Sequence, residues 1–196
     1  MKLLTPCATL ALAILFGVTA CKGGDKKAEP APGSAAPGGG APKAPPATKD
    51  LADSADPTGI EWKRVEQPFG SLELPTGPAW AMVDNQLEGK DETVIMLQAQ
   101  DGIGPEQLDE YLASYDEVQR RDAPKYVGAA PTKGTVGGQV AARVEGAFDN
   151  GTKFVTRDFL IFAKGKVVLL SARTPATNAA ALPGLIDHAA RSLQVR

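Results

Sequence analysis

"GQVAARVEGAFDNGTKFVTRDFLIFAKGKVVLLSAR", residues 138–173, decides the fold. Val140, Ala142, Val144 and Phe148 alternate with Gln139, Arg143 and Glu145, the two-residue period of a strand with one face turned to a core. Asp149-Asn150-Gly151 is a hairpin signal that predicts a two-residue turn, and "TKFVTRDFLIF" carries the chain back. Ala163-Lys164-Gly165-Lys166 predicts a second tight turn into "VVLLSAR". The stretch therefore reads as a three-stranded antiparallel meander. Its unbroken apolar runs, Phe159 to Phe162 and Val167 to Leu170, predict a sheet covered on both faces rather than open to water on one.

Upstream, "GIGPEQLDEYLASYDEVQRR" changes period. Pro105 suits the first helical turn, and Leu108, Tyr111, Leu112, Tyr115 and Val118 recur at three- and four-residue steps. Arg120 and Arg121 complement the negative end of the helix dipole. Before it, "TVIMLQAQ" (93–100) reads as a strand with both faces covered. "FGSLEL" (69–74) reads as a strand closed off by Pro75, Gly77 and Pro78, and "AWAMV" (79–83) as a short strand followed by an exposed loop, "DNQLEGKDE". Downstream, Leu182, Leu185, Ile186, Ala189 and Leu193 form a helical stripe whose start Pro183 fixes.

A Phe-x-x-Leu-x-Leu-Pro opening with a tryptophan soon after (Phe69, Leu72, Leu74, Pro75, Trp80), a central strand, one helix, the meander behind Gly137-Gly138 and a closing helix ending "RSLQV" resemble the PsbP-like superfamily over residues 60 to 196. That group includes an extrinsic photosystem II subunit, a eukaryotic Ran-binding protein, and DcrB-like envelope proteins and lipoproteins. The resemblance implies an α+β domain, mainly antiparallel sheet flanked by helices, with a non-enzymatic binding or assembly role. It transfers no functional motif.

The N-terminus carries a different signal. Met1-Lys2 supplies a positive start, residues 3–16 an apolar segment, and Val18-Thr19-Ala20 small or β-branched residues before Cys21. This is the layout of a secretory signal, too interrupted by Thr5, Pro6 and Thr9 for the roughly 20 apolar residues of a stable span. "VTAC" (18–21) resembles the lipobox of bacterial lipoproteins, which implies cleavage between Ala20 and Cys21 and attachment of diacylglycerol and a further acyl chain such as palmitate to Cys21. Cysteine suits this role because the thiolate is the nucleophile, and two or more chains anchor stably where one does not. An ordinary secretory signal is the alternative. Lipoproteins of two-membrane bacteria go to the outer membrane unless aspartate follows the cysteine, and here Lys22 follows. The expected address is thus the cell envelope, at the periplasmic face of the outer membrane.

Residues 22–56 are Lys, Asp, Gly, Ala and Pro with few large apolar side chains, including "PAPGSAAPGGGAPKAPPA". Such a composition cannot offset its ordering entropy and reads as a disordered tether, spanning roughly 30–35 Å as a flexible chain. The predicted organisation is a signal peptide over 1–20, a lipidated cysteine and linker over 21–56, and a single domain over 57–196. With Cys7 inside the signal segment and Cys21 acylated, the domain holds no cysteine and relies on its hydrophobic core. Its 15 Lys and Arg against 18 Asp and Glu are interspersed, which argues against a nucleic-acid surface.

The sequence displays no catalytic, metal or cofactor signature. The single histidine, His188, stands beside Asp187, and helical neighbours point about 100° apart, so the two do not form a base and its orienting acid. No G-x-S-x-G, metal-ligand spacing or phosphate loop is present; "KGTVGG" (133–138) reads as a loop leading into a strand. Paired acids such as Asp109 and Glu110, or Asp116 and Glu117, read as a solvated helix face. Trp62, Trp80 and Tyr126 are the candidates for a contact surface, since large aromatics concentrate binding energy when exposed. The expectation is a membrane-anchored envelope lipoprotein presenting a non-catalytic domain to an envelope protein or component. A carboxylate-based envelope hydrolase and a purely structural subunit are the alternatives.

Overall fold

A computed structural model describes residues 48–83 and 86–196. The signal segment, Ala20, Cys21 and the proline-rich stretch lie outside the described residues. These described residues form one compact unit. Along the chain run β1 (Glu61–Gln67), β2 (Gly70–Thr76), β3 (Trp80–Val83), β4 (Gln86–Gly89) and β5 (Val94–Asp101), then a 3-10 turn (Pro105–Gln107) leading into α1 (Leu108–Asp122). There follow β6 (Val127–Gly128), β7 (Thr132–Val136), β8 (Gln139–Asp149), β9 (Lys153–Ala163) and β10 (Lys166–Pro175). A second 3-10 turn (Ala176–Ala181), α2 (Leu182–Ser192) and β11 (Gln194–Val195) close the chain.

The meander is the middle of an antiparallel sheet ordered β3-β4-β5-β10-β9-β8, with β6 and β7 pairing different ends of β8. A small second sheet is ordered β1-β2-β11. The fold is α+β, mainly antiparallel sheet with a helix on each face.

The side-chain alternation of β9 explains the two-faced cover. Phe159 and Ile161 join Leu170, Ile186 and Ala189 in one core, beneath α2. Leu160 and Phe162 join Tyr111, Leu112, Tyr115 and Leu169 in the other, beneath α1. Each fully buried side chain of this size contributes about 1.5–3 kcal/mol, which is why an uninterrupted apolar run is stable here.

The turns depart from the sequence reading in one case. Ala163 pairs with Lys166, and Lys164 and Gly165 both have positive φ (51° and 71°), the two-residue primed turn expected. Asp149 pairs with Lys153, so the first hairpin has a three-residue loop, Asn150 to Thr152, instead of two. Asp149 Oδ1 accepts the Gly151 N–H at 2.9 Å, and Gly151 takes φ 108°. The carboxylate stabilises the longer loop.

Two predicted loops are strands. Gln86–Gly89 pairs with both β3 and β5, burying Leu87, the one apolar side chain in "DNQLEGKDE". Thr132–Val136 is β7, joined to β8 through Gly137 and Gly138, whose φ values of 56° and 79° form another primed turn. β1, polar and outermost in its sheet, had no periodic signal. Pro75 sits inside β2 rather than ending it; β11 pairs β2 only at Gly70 and Ser71, so at Pro75 β2 has a neighbour on one side only.

The packed chain also begins earlier than residue 57. Leu51 and Ala52 are buried in the core beneath α2, and residues 49–56 form a strap across that face. Composition over 22–56 hides this, because its ordered end is held mainly by contacts to distant residues.

Candidate interaction surface

The strap is held chiefly through its backbone. The Leu51 N–H donates to the Thr135 carbonyl at 2.8 Å, and the Thr135 N–H donates to the Lys49 carbonyl at 2.9 Å. Arg143 donates to the Leu51 carbonyl at 2.8 Å, and Arg191 donates to those of Ala52 and Ser54 at 2.7 and 2.8 Å. The Ser54 N–H donates to Asp187 at 2.9 Å. A glycine makes room at each end. A Cβ on Gly134 would lie 2.3 Å from the Lys49 carbonyl oxygen, and one on Gly184 would lie 2.8 Å from that of Ala55.

Beneath the strap, Arg157 donates to Asp187 at 2.8 Å and to Glu145 at 3.1 Å, with Asp53 at 3.7 Å. Arg143 and Glu145 are alternate positions that the sequence marks as polar, and Arg157 is the cross-strand partner of Glu145. The strap and α2 cover the two arginines and leave Glu145 part-exposed at the rim, so this part of the polar face is an ionic layer instead of a solvated surface.

At the strap's far end His188 sits between two carboxylates. Nδ1 lies 3.0 Å from Asp56 and Nε2 lies 3.0 Å from Glu73, while the ring stacks on Trp62 with centroids 3.7 Å apart. Hydrogen bonding from His188, reinforced by Arg191, holds the Asp56 carboxyl below the usual carboxylate range. Hydrogen bonding from His188, reinforced by Arg64, does the same for Glu73. His188 is therefore a packed and bonded residue. Asp187, its neighbour, turns to Arg157 and the two share no task.

Trp62 is half-buried under this stack. Trp80 is also half-buried and packs on the core from β3; a Cβ on Gly89 would lie 3.1 Å from its ring, so glycine there lets the indole lie across the β3–β4 hairpin. Next along β3, Met82 and Val83 are 47% and 46% exposed. β3 is the terminal strand of its sheet, so one backbone edge has no strand partner among the described residues. Met82 and Val83 were missed as contact candidates because an isolated apolar pair in a short strand reads as core.

Tyr126 does not belong to a surface. It is buried, with its ring against Gly128 and Gly146, where a Cβ would come within 3.0 and 2.7 Å. Burial pushes its hydroxyl up to about 12, with Asp158 adding to the effect. Asp158 lies nearby beneath α1, accepting from Ser171 at 2.5 Å and Tyr115 at 2.9 Å. Desolvation raises its pKa to about 6 against those hydrogen bonds. A raised carboxyl pKa of this kind can mark a catalytic acid, but Asp158 is 1% exposed and both its oxygens are engaged by structural donors. The described residues hold no cluster of three or more His, Cys, Asp or Glu placed to bind a metal ion, and no helix long and apolar enough to cross a membrane.

Neither a scan of protein-family models nor a search of curated proteins gave a match. Solved structures do match. LpqN of Mycobacterium tuberculosis, involved in cell envelope biogenesis, is 15% identical over 76% of this chain and 98% of its own, with a TM-score of 0.48. The Ran-binding protein Mog1p of Saccharomyces cerevisiae is 17% identical over 69% and 96%, with a TM-score of 0.44. Cyanobacterial PsbP (CyanoP) of Synechocystis sp. PCC 6803 is 12% identical over 73% and 98%, with a TM-score of 0.50. The likeness to CyanoP, added to the element order read from the sequence, gives this chain a PsbP-like fold.

Proposed function

We propose that this chain is a bacterial envelope lipoprotein that holds a non-catalytic binding domain at a membrane. The reading is carried by Val18-Thr19-Ala20-Cys21, which stands directly behind an apolar segment and directly ahead of a long Ala, Pro and Gly stretch. Cleavage follows Ala20, acyl chains on Cys21 anchor the mature chain, and Lys22 directs it to the outer membrane facing the periplasm. Two or more acyl chains give stable anchoring where one gives marginal, reversible binding.

The binding half of the reading is supported by the open edge of β3. Exposed apolar side chains on a strand with one open edge are what a protein partner covers, either by packing or by adding a strand. The partner is an envelope protein or envelope component. Trp80, half-buried in the same strand and packed on the core, fixes β3 for that contact.

Growth of the native host with an alkyne-tagged fatty acid should label the wild-type protein and leave Cys21→Ser unlabelled. Label retained by Cys21→Ser, or absent from the wild type, overturns the anchor. Photo-cross-linking residues placed at positions 82 and 83 should capture one recurring neighbour in cells. Capture that is equally frequent from positions on α1 overturns the assignment of β3 as the contact.

A further inference from the structure

The strongest unassigned arrangement is the imidazole of His188 held between Asp56 of the strap and Glu73 of β2. Both ring nitrogens lie 3.0 Å from carboxylate oxygens. A carboxylate only accepts, so both contacts are hydrogen bonds only when both nitrogens carry protons, which is the imidazolium. In the neutral ring one nitrogen turns a lone pair on a carboxylate, and that contact becomes repulsive.

We propose that His188 is a protonation-sensitive latch for the 49–56 strap: the imidazolium clamps Asp56 to the domain, and loss of the ring proton frees that end. The strap yields rather than β2. Glu73 sits in the middle of a strand, its N–H bonded to Ser192 at 2.8 Å and its carboxylate to Arg64 at 3.2 Å. Asp56 sits in an irregular segment and is 52% exposed at its side chain, with Arg191 as its other partner.

The charged groups facing the ring are Asp56 from the strap, Glu73 from β2, Arg64 from β1 and Arg191 from α2. The two arginines neutralise part of the carboxylate charge yet contact neither ring nitrogen. The carboxylates define the acid side of the latch. Asp56 and Glu73 are both held below the usual carboxylate range, by His188 first. Their contribution to holding the strap is present above the ordinary carboxylate range and is lost only as pH falls through their lowered values. The clamp is thus closed in a window bounded below by carboxylate protonation and above by loss of the imidazolium proton.

His188 is the chain's only histidine, so its ring signals in a nitrogen-15 labelled sample are unambiguous. Hydrogen exchange of the full chain should be read as protection factors, which divide out the intrinsic pH dependence. As the ring loses its proton, protection of the Ser54 amide should fall about two- to fivefold, the range of a part-exposed ion pair, in step with the change in the ring signals. Amides of Leu160 and Leu170 should hold steady. In His188→Gln, and in Asp56→Asn, the Ser54 response to pH should be flat while the core amides remain protected. As an independent readout, emission of Trp62 in a Trp80→Phe background should rise as the stacked imidazolium, a quencher, disappears. Ser54 protection that stays flat through the ring titration overturns the latch, as does the same fall in His188→Gln. The outcome is independent of whether Cys21 is acylated.

Discussion

Arg157 and Asp187 form a 2.8 Å ion pair in which the Asp187 side chain is fully buried and that of Arg157 is 8% exposed. The same Asp187 oxygen accepts the Ser54 N–H, so one carboxylate joins β9, α2 and the strap. Breaking such a pair from the carboxylate side leaves the buried guanidinium with only the part-exposed Glu145 and Asp53 as partners. Asp187→Ala should therefore cost up to about 3–5 kcal/mol, whereas replacing both partners with apolar residues of similar volume should cost much less. Urea unfolding of the two variants decides this. A loss below about 1 kcal/mol in Asp187→Ala means that Glu145 and Asp53 suffice for the Arg157 charge and the pair is not the joint described.

Gly134 marks where the strap crosses β7. An added Cβ would lie 2.3 Å from the Lys49 carbonyl oxygen and 2.8 Å from a Leu51 methyl, and the first of these is backbone that cannot swing aside. Gly134→Ala should cost about 1–3 kcal/mol by pushing the strap off. Leu51→Ala should cost about 2–5 kcal/mol in the wild type, through lost burial and a cavity. In the Gly134→Ala background it should cost far less, because Leu51 has already left its site. Additive losses in this cycle would show that the strap stays seated and that β7 moves instead.

These two sites also show what the sequence could and could not convey. The meander, α1 and α2 were legible because each buries a periodic face, and period is a local property. Arg143 was legible as a polar position of that period, but not as a buried one, and Arg157 carried no reading of its own. The strap that covers both binds Arg143 through the Leu51 carbonyl and meets Arg157 at Asp53, and a carbonyl has no sequence signature. His188 was correctly separated from Asp187 by helical geometry. Its real partners, Asp56 and Glu73, are 132 and 115 residues away. β1 and β4 were lost because each carries too few apolar side chains for a period to show. Tyr126 was named for its size alone, and only the flanking Gly128 and Gly146 reveal that the backbone makes room for it inside.

Asp158 makes stability pH-dependent in the opposite sense to the strap carboxylates. Its folded pKa is raised to about 6 by burial, from 3.8. A group raised on folding contributes its full share below its unfolded value and loses it as pH rises through the folded one. From about pH 4 to pH 7 the wild type should therefore lose stability relative to Asp158→Asn, by about 3 kcal/mol for a shift of roughly two units. The amide keeps the size of the carboxyl and does not titrate, and comparing the two proteins cancels the opposing effects of Asp53, Asp56 and Glu73. Urea midpoints at several pH values provide the measurement. Parallel curves for the two proteins would mean that Asp158 ionises in the folded state as readily as in the unfolded chain.

The edge of β3 is the last point at which stability and binding can be pulled apart. Met82 and Val83 are about half exposed, so lysine at either position keeps its charge in water and removes little core contact. Surface changes of this kind stay within about 0.5 kcal/mol of wild type. A lysine on an edge strand also opposes strand addition, because its charge would be desolvated by an incoming chain. Met82→Lys with Val83→Lys should then leave the unfolding midpoint nearly unchanged while reducing at least tenfold the cross-links formed from a photo-cross-linking residue at the neighbouring position 81, compared with the same probe in the wild-type background. Trp80→Ala makes the contrast. It removes a ring packed on the core and should lower stability as well as capture. If the double lysine variant folds normally and captures its neighbour as the wild type does, the partner binds elsewhere and the open edge of β3 is only the place where the sheet stops.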